Sequence, residues 1–167
     1  MSERRDPFNT PDDEARALAH GLIRQARHAS LAVIDPETGG PGISRIALAR
    51  DEMGCPLTLI SSLAAHDAAL RANPDAALMV GEPGAKGDPL THPRLMIRVT
   101  ARFINRNDPN HAALRTHYLA QQPKAKLYID FADFSLVRLV PVSAILNGGF
   151  GRAWRLAASD LIQPQAA

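Results

Sequence analysis

The sequence predicts an α+β domain in which six strands form a largely antiparallel sheet or small barrel, with helices between them. Short apolar stretches alternate with turns, and 13 prolines and 11 glycines separate these stretches along the chain. Longer segments with apolar residues at helical spacing lie between the strands. The length of 167 residues suits one domain whose core is large enough to fold without disulfides.

A helix and a hairpin are predicted at the start of the domain. Thr10, a proline and three acidic residues precede an apolar stripe, which predicts a capped helix over about 12–28. The stretches 30–35 and 42–50 are predicted strands. The segment 36–41, which is rich in glycine and proline, joins them as a turn.

The rest of the chain predicts four more strands and two more helices. The predicted strands cover 56–60, 76–80, 94–106 and 134–146, and the helices cover 64–72 and 108–122. A polar, proline-rich loop at 81–93 is of the kind that often borders a site. We expect residues 1–9 to be a disordered tail, residues 10–156 to form the domain and residues 157–167 to be a second tail. Strand faces that the helices leave uncovered favour a homodimer.

Composition and charge exclude several classes of protein. The formal net charge is +2 and the arginines are scattered without a basic run, so no nucleic-acid partner is expected. Cys55 is the only cysteine, which excludes an internal disulfide and a cysteine-rich metal site. No leader sequence opens the chain and no apolar run reaches the length of a membrane span. We therefore expect a cytoplasmic protein with no membrane partner.

A candidate anion site lies where a predicted strand passes into a helix. The apolar stretch from Pro56 to Ile60 is followed by Ser61 and Ser62, and the helix begins a few residues later. Free N–H groups and the positive end of the helix dipole favour a phosphate at such a junction. Two hydroxyls and the guanidinium of Arg45 would add donors. The alternative is that Ser62 only caps the helix and that Arg45 is a solvated strand residue.

Four segments resemble the FMN-binding split β-barrel proteins, the pyridoxamine 5′-phosphate oxidase-like superfamily, and within it the haem-utilisation group. They are Ser44-Arg45-Ile46-Ala47-Leu48-Ala49-Arg50, Ser61-Ser62-Leu63-Ala64-Ala65-His66, Asp133-Phe134-Ser135-Leu136-Val137-Arg138-Leu139-Val140-Pro141 and Gly148-Gly149-Phe150-Gly151-Arg152-Ala153. The likeness extends from Asp12 to about Leu156. It implies a six-stranded antiparallel split β-barrel with flanking helices, which forms a homodimer with FMN at the subunit interface.

The resemblance also implies which residues hold the flavin. Arg45 would pair with its phosphate, Ser61 and Ser62 would donate to it, and His66 would lie beside it. The implied cofactor-binding residues are Arg45, Ile46, Ala47, Arg50, Ser61, Ser62, Leu63, His66, Arg94 and Lys126. The function that follows is an FMN-dependent oxidoreductase acting on a small molecule of unknown identity, in which the flavin carries the electrons. No metal site and no catalytic residue are assigned.

Two departures from the family pattern bear on the substrate. The oxidases end with Trp and Arg residues that bind the vitamin phosphate, whereas Trp154-Arg155 is followed here by a short tail, so pyridoxamine phosphate oxidation is not expected. Several haem-utilisation relatives supply an axial histidine from a C-terminal extension, and here no histidine follows His117. The alternative function is a haem-binding or haem-utilisation protein that uses the same barrel as a scaffold, with His92 as its candidate ligand. A dimeric scaffold with an empty groove is the third hypothesis.

Overall fold

One antiparallel sheet carries most of the fold. The computed structural model describes residues 6–162. Within this range the helices are α1 (Asp13–Gln25), α2 (Ala65–Ala72) and α3 (His111–Gln121). The strands are β1 (His28–Ile34), β2 (Pro41–Ala47), β3 (Ala49–Arg50), β4 (Pro56–Ser61), β5 (Asp75–Val80), β6 (Arg94–Phe103), β7 (Phe134–Asn147) and β8 (Ala153–Ala157). Short 3-10 helices cover Pro89–Thr91, Pro123–Leu127 and Ala158–Asp160.

The long strand β7 joins the two halves of the sheet. The strand order is β2-β1-β5-β6-β7-β4-β3, and the neighbouring strands are antiparallel. One edge of β7 pairs with β6, while the other edge pairs first with β4 and then with β8. The register against β6 shifts next to Pro141, where a residue without an N–H is tolerated because the ladder is already interrupted.

The two ends of the sheet approach each other without forming a ladder. The hydroxyl of Thr58 in β4 is fully buried and donates to the Ala47 carbonyl of β2 at 2.7 Å. Leu48 separates β2 from β3, and its N–H donates to the Arg27 carbonyl. No β2–β4 strand pairing occurs between residues 6 and 162. The sheet therefore curls into a barrel that stays open between β2 and β4, and we call this opening the split.

The core lies inside the curled sheet and is covered by α1 and α2. Asp12 caps α1 by accepting the Ala15 N–H at 2.8 Å. The helix then buries Ala15, Ala19 and Ile23, which recur at helical spacing on one face. A second, smaller apolar cluster lies between α3 and β4. Among the helices described here, none is long and apolar enough to span a membrane.

The predicted α+β class and antiparallel sheet are confirmed, but the predicted count of six strands is wrong. The sheet has eight strands in the part of the chain that the structure describes. The predicted strand 42–50 divides at Leu48, where the backbone N–H bonds to the carbonyl of Arg27, between α1 and β1, instead of to a strand. The short strand β8 follows a glycine-rich turn and is too short to show a period in the sequence. Helix α1 ends at Gln25, not His28, because Ala26 is already extended and β1 begins at His28.

The predicted terminal tails extend beyond the described residues, and their described parts contact the domain. The Asn9 N–H donates to the Ala153 carbonyl of β8 at 2.8 Å. Phe8 lies 4.1 Å below the guanidinium of Arg155. At the other end, Leu161 is buried in the main core.

Candidate functional site

The split brings together the strand motif and the strand-to-helix junction that the sequence singles out. The His66 ring, at the start of α2, reaches Ser44 of β2, with 3.2 Å between Nδ1 and Oγ. The Thr58–Ala47 hydrogen bond holds β4 against the same part of β2. Residues 44–47 and 61–66 therefore face each other across the split, although a turn and two short strands separate them in sequence.

Asp133 accepts hydrogen bonds from two of the groups that are predicted to bind the phosphate. The Ser61 hydroxyl donates to the Asp133 carboxylate at 2.7 Å and accepts the Leu63 N–H at 3.2 Å. The Ser62 N–H donates to the Asp133 carbonyl at 2.7 Å. Because Asp133 uses these donors and adds a negative charge, this part of the junction does not fit a phosphate dianion. Leu63 itself is 88% exposed and is free to contact a ligand.

Helix α2 begins two residues too late for Ser62 to be its N-cap. Its N-cap residue is Ala64, whose side chain makes no capping hydrogen bond. The alternative interpretation of Ser62 as the helix cap is therefore wrong. Among residues 6–162, the N–H groups of Ala65 and His66 have no backbone partner outside the helix, as expected for a first turn.

His66 is a hydrogen-bonded, half-buried imidazole. Burial lowers its pKa, against the smaller opposing effect of the Asp67 carboxylate. The ring is therefore neutral at neutral pH and supplies no positive charge to an anion. A phosphate at the junction would depend on Arg45 for its cation.

Arg45 and Ala47 lie on one face of β2, and Ile46 lies on the other. Arg45 is exposed and makes no hydrogen bond or ion pair within residues 6–162, so its guanidinium is available to a ligand. Ile46 is only 5% exposed and belongs to the core. The carbonyl of Ala47 accepts the hydrogen bond from Thr58.

Three further predicted cofactor-binding residues lie away from the split or have other partners. The Arg50 guanidinium donates to the carbonyls of Ile23, at 3.0 Å, and of Arg24, at the end of α1. Burial, followed by the charges of Arg27 and Arg24, lowers the pKa of Arg50. Arg94 starts β6 and donates to the Leu90 carbonyl at 3.0 Å. Lys126 is exposed in the 3-10 helix Pro123–Leu127.

The side of the sheet that faces away from the core, which we call the outer face, carries an apolar patch. Cross-strand partners share a face, so the register lines up one row of side chains across five strands. In order from β2 to β7 the row is Arg45, Ser30, Met79, Met96 and Ile145.

A second row runs beside the first. It consists of Ile43, Ala32, Ala77 and Arg98. Ile43 is 77% exposed and Met79 is 49% exposed, so the two rows form an apolar surface between Arg45 and Arg98. Sequence analysis missed this surface. The alternation along β1 and β2 could have indicated an apolar outer face, but only the register shows which residues are neighbours.

The chain is similar to three proteins whose names refer to haem, and no family model matches it. It is 36% identical to the chloroplast heme oxygenase HOZ of Arabidopsis thaliana over 133 residues, which are 79% of this chain and 38% of that protein. It is 28% identical to the heme oxygenase HutZ of Vibrio cholerae over 147 residues, covering 84% of this chain and 80% of that protein. The solved structure of a heme binding protein from Mycobacterium smegmatis is 27% identical, with a TM-score of 0.80 over 92% of this chain and 61% of that chain. The chain thus spans well under two thirds of the Arabidopsis protein.

Proposed function

Because the chain belongs to the pyridoxamine 5′-phosphate oxidase-like split β-barrel superfamily and its haem-utilisation group, we propose that it binds haem and acts in haem utilisation as a homodimer. The observation that carries the proposal is the exposed apolar surface of the outer face between Arg45 and Arg98. Bound haem would supply an iron centre for oxygen chemistry, and the chain would hold and orient the ring.

The chemistry of the outer face fits the haem molecule. Haem is a flat apolar ring with two carboxylates at one edge. Ile43 and Met79 offer exposed apolar contacts, and methionine adapts its shape to the surface that it covers. The guanidinium groups of Arg45 and Arg98 border these contacts on opposite sides, and either one can bind the propionate edge of the ring through charge-assisted hydrogen bonds.

A second copy of the chain is the partner that we propose for this face. Apolar side chains as exposed as Ile43 and Met79 are costly to leave in water when they form a patch. A two-fold dimer would place the same patch on both partners, and each haem would then lie between two protein walls. The dimer is part of the proposal.

FMN is the second candidate ligand. The observation in its favour is the pair of N–H groups at Ala65 and His66, which have no hydrogen-bond partner within residues 6–162. The guanidinium of Arg45, the residue next to Ser44, is available on the other face of β2. Against it, the Ser61 hydroxyl already donates to Asp133, and Arg50 bonds to the end of α1. We therefore rank haem binding above FMN binding.

Absorption titrations with haem and with FMN test the two candidates directly. The expected result is a Soret band that saturates at one haem per chain, with no tight uptake of FMN. Sedimentation velocity should show a dimer. Failure to form a Soret band at stoichiometric haem, together with saturable FMN binding, would reverse the ranking.

Two matched methionines test the role of the outer face. Met79 and Met53 are both 49% exposed, but Met79 lies on the outer face and Met53 lies in the turn between β3 and β4. We expect Met79→Asp to weaken the dimer and lower haem affinity at least about tenfold, because a carboxylate is then buried against an apolar ring. Met53→Asp should change neither property. Equal effects of the two substitutions would remove the outer face from the proposal.

Arg45→Ala tests the polar edge of the same surface. The loss of one charge-assisted hydrogen bond should weaken binding of the ligand by about 1.5–3 kcal/mol. The effect should decrease at high salt because the contact is exposed. Arg102→Ala is the control. Like Arg45, Arg102 is an exposed arginine in a strand, but it is in β6 and lies beyond the two rows.

A further inference from the structure

The six histidines of the chain differ in whether a ring nitrogen is left to bind iron. A haem iron that takes a protein ligand needs a neutral imidazole nitrogen with a free lone pair. His92, the candidate from the sequence, has none: Nδ1 accepts the Gly84 N–H at 3.2 Å and Nε2 lies 2.8 Å from the Lys86 carbonyl. These contacts use both nitrogens and hold the loop 81–93 together.

In two more histidines, one ring nitrogen is hydrogen-bonded to a residue that is not on the outer face. Nε2 of His20 lies 2.7 Å from the Asp160 carbonyl, and Nε2 of His117 lies 3.1 Å from Glu52. His111, on α3, makes no hydrogen bond through its ring within residues 6–162, but α3 packs on the second core cluster and not on the outer face.

His66 and His28 both lie near β2, but they approach it from opposite sides of the sheet. The ring of His66 contacts Ser44, whose side chain lies on the other face of β2 from Arg45. His28 pairs with Ala47 and lies two residues before Ser30, so its side chain is on the outer face beside the row that contains Arg45 and Met79.

The surroundings of His28 suit an iron ligand. The ring lines a cavity of about 300 Å³ between the end of α1 and the start of the loop 81–93, with Leu22 and Ala26 as apolar walls. Nδ1 lies 3.8 Å from Oε1 of Glu82, whereas Nε2 has no hydrogen-bond partner within residues 6–162. Histidine ligands are commonly oriented by a carboxylate on the nitrogen that does not bind the metal. A small rotation of either side chain would bring Nδ1–H and the carboxylate to hydrogen-bond distance.

The backbone fixes Glu82 opposite His28. Gly81 has φ +101°, a conformation that favours glycine, and a Cβ at this position would lie 2.5 Å from the Pro93 carbonyl oxygen. The two ends of the loop 81–93 therefore meet closely at Gly81. This contact sets where the chain leaves β5 and so places Glu82 beside the cavity.

We propose that His28 binds the haem iron through Nε2 on the outer face, and that Glu82 positions its ring from the Nδ1 side. This inference rests on the proposed haem binding. His28 is the direct ligand in this arrangement, and Glu82 is a positioning residue that touches only the imidazole.

The test uses the full chain and free haem, and it reads the ligand by spectroscopy. Wild-type protein should show an iron–histidine stretching band in the ferrous state. His28→Ala should abolish this band and lower haem affinity by more than about tenfold. Added imidazole should restore the wild-type spectrum of His28→Ala, which a merely structural role of His28 would not allow. Glu82→Gln should keep the band but shift it to lower frequency, because the ring loses its carboxylate partner.

The controls separate the possible outcomes. His66→Ala and His111→Ala should leave the band unchanged, and circular dichroism should confirm that each variant is folded. If wild-type protein binds haem and His28→Ala retains the band, the assignment of His28 is wrong while haem binding stands. Loss of the band in His66→Ala would move the ligand to the split. If wild-type protein binds no haem, the proposed function fails and this inference fails with it.

Discussion

The contacts of Arg50 predict that its replacement lowers stability and leaves haem affinity unchanged. Arg50 lies on β3, and its guanidinium donates to the Ile23 carbonyl at 3.0 Å and to the Arg24 carbonyl. These carbonyls are among the last in α1 and have no partner within the helix. A cation at this end of a helix also interacts favourably with the helix dipole.

The expected size of the effect follows from these contacts. Hydrogen bonds to a charged group contribute about 1.5–3 kcal/mol each, and the helix dipole adds about 0.3–1 kcal/mol. Arg24 and Arg27 repel Arg50, and the side chain is only partly buried, so the net contribution is smaller than this sum. We expect Arg50→Gln to lower the free energy of unfolding by about 1–2 kcal/mol, which for a chain of this size lowers the Tm by about 2–8 °C.

Urea denaturation and haem titration of the same variant distinguish the two roles of Arg50. The midpoint should fall with an unchanged m-value, and the haem and FMN dissociation constants should match those of the wild type. Arg102→Gln is the control and should change stability by less than about 0.5 kcal/mol, because Arg102 is exposed and its guanidinium makes no hydrogen bond within the described residues. If Arg50→Gln weakens ligand binding without lowering the urea midpoint, Arg50 contacts the cofactor as the sequence predicts.

Three further substitutions or treatments have definite expected outcomes. Asp51→Ala removes a carboxylate that is only 4% exposed and that accepts a hydrogen bond from Arg138 at 2.8 Å. Calorimetry should show that the free energy of unfolding falls by about 3 kcal/mol. The Arg16 side chain and the Ala157 N–H hold the pKa of Asp160 below its usual value, so the stability that Asp160 provides is present above about pH 4 and is lost as the pH falls. The difference in unfolding free energy between wild type and Asp160→Asn should therefore narrow on acidification, and a constant difference from pH 7 to pH 3 would contradict this assignment. Burial raises the pKa of Cys55 to about 12, so iodoacetamide should label this thiol at pH 8 only after unfolding, as mass spectrometry can show.

Local patterns in the sequence predict most elements of the fold because they depend on nearby residues. The apolar spacing along α1 gives the helix and its buried face, and the alternation along β1 and β6 gives those strands. Errors occur where a distant contact decides the local structure. Leu48 interrupts a predicted strand because its N–H bonds to Arg27, and β8 forms because the end of β7 offers a free edge.

The candidate site depends both on local sequence patterns and on contacts between residues that are distant in sequence. The sequence singles out residues 44–47 and 61–66, and the fold brings these two segments together at the split. It does not show that Ser61 donates to Asp133, because these residues are separated by 72 positions and meet only when β4 pairs with β7. For the same reason it does not show that both nitrogens of His92 are engaged.

The amino-acid sequence by itself determined the α+β class, the approximate positions of the helices and strands, and the resemblance to a family of split barrels. The tertiary structure alone decided which donors remain available to a ligand and which apolar side chains form one surface. The physical reason is that helix and strand periods arise within a few residues, whereas the partner of a hydroxyl, a guanidinium or an imidazole depends on register and chain closure. On this basis Arg45, Met79 and His28 lie on the same outer face, while the side chains of Ser61, Arg50 and His92 make hydrogen bonds that hold the fold.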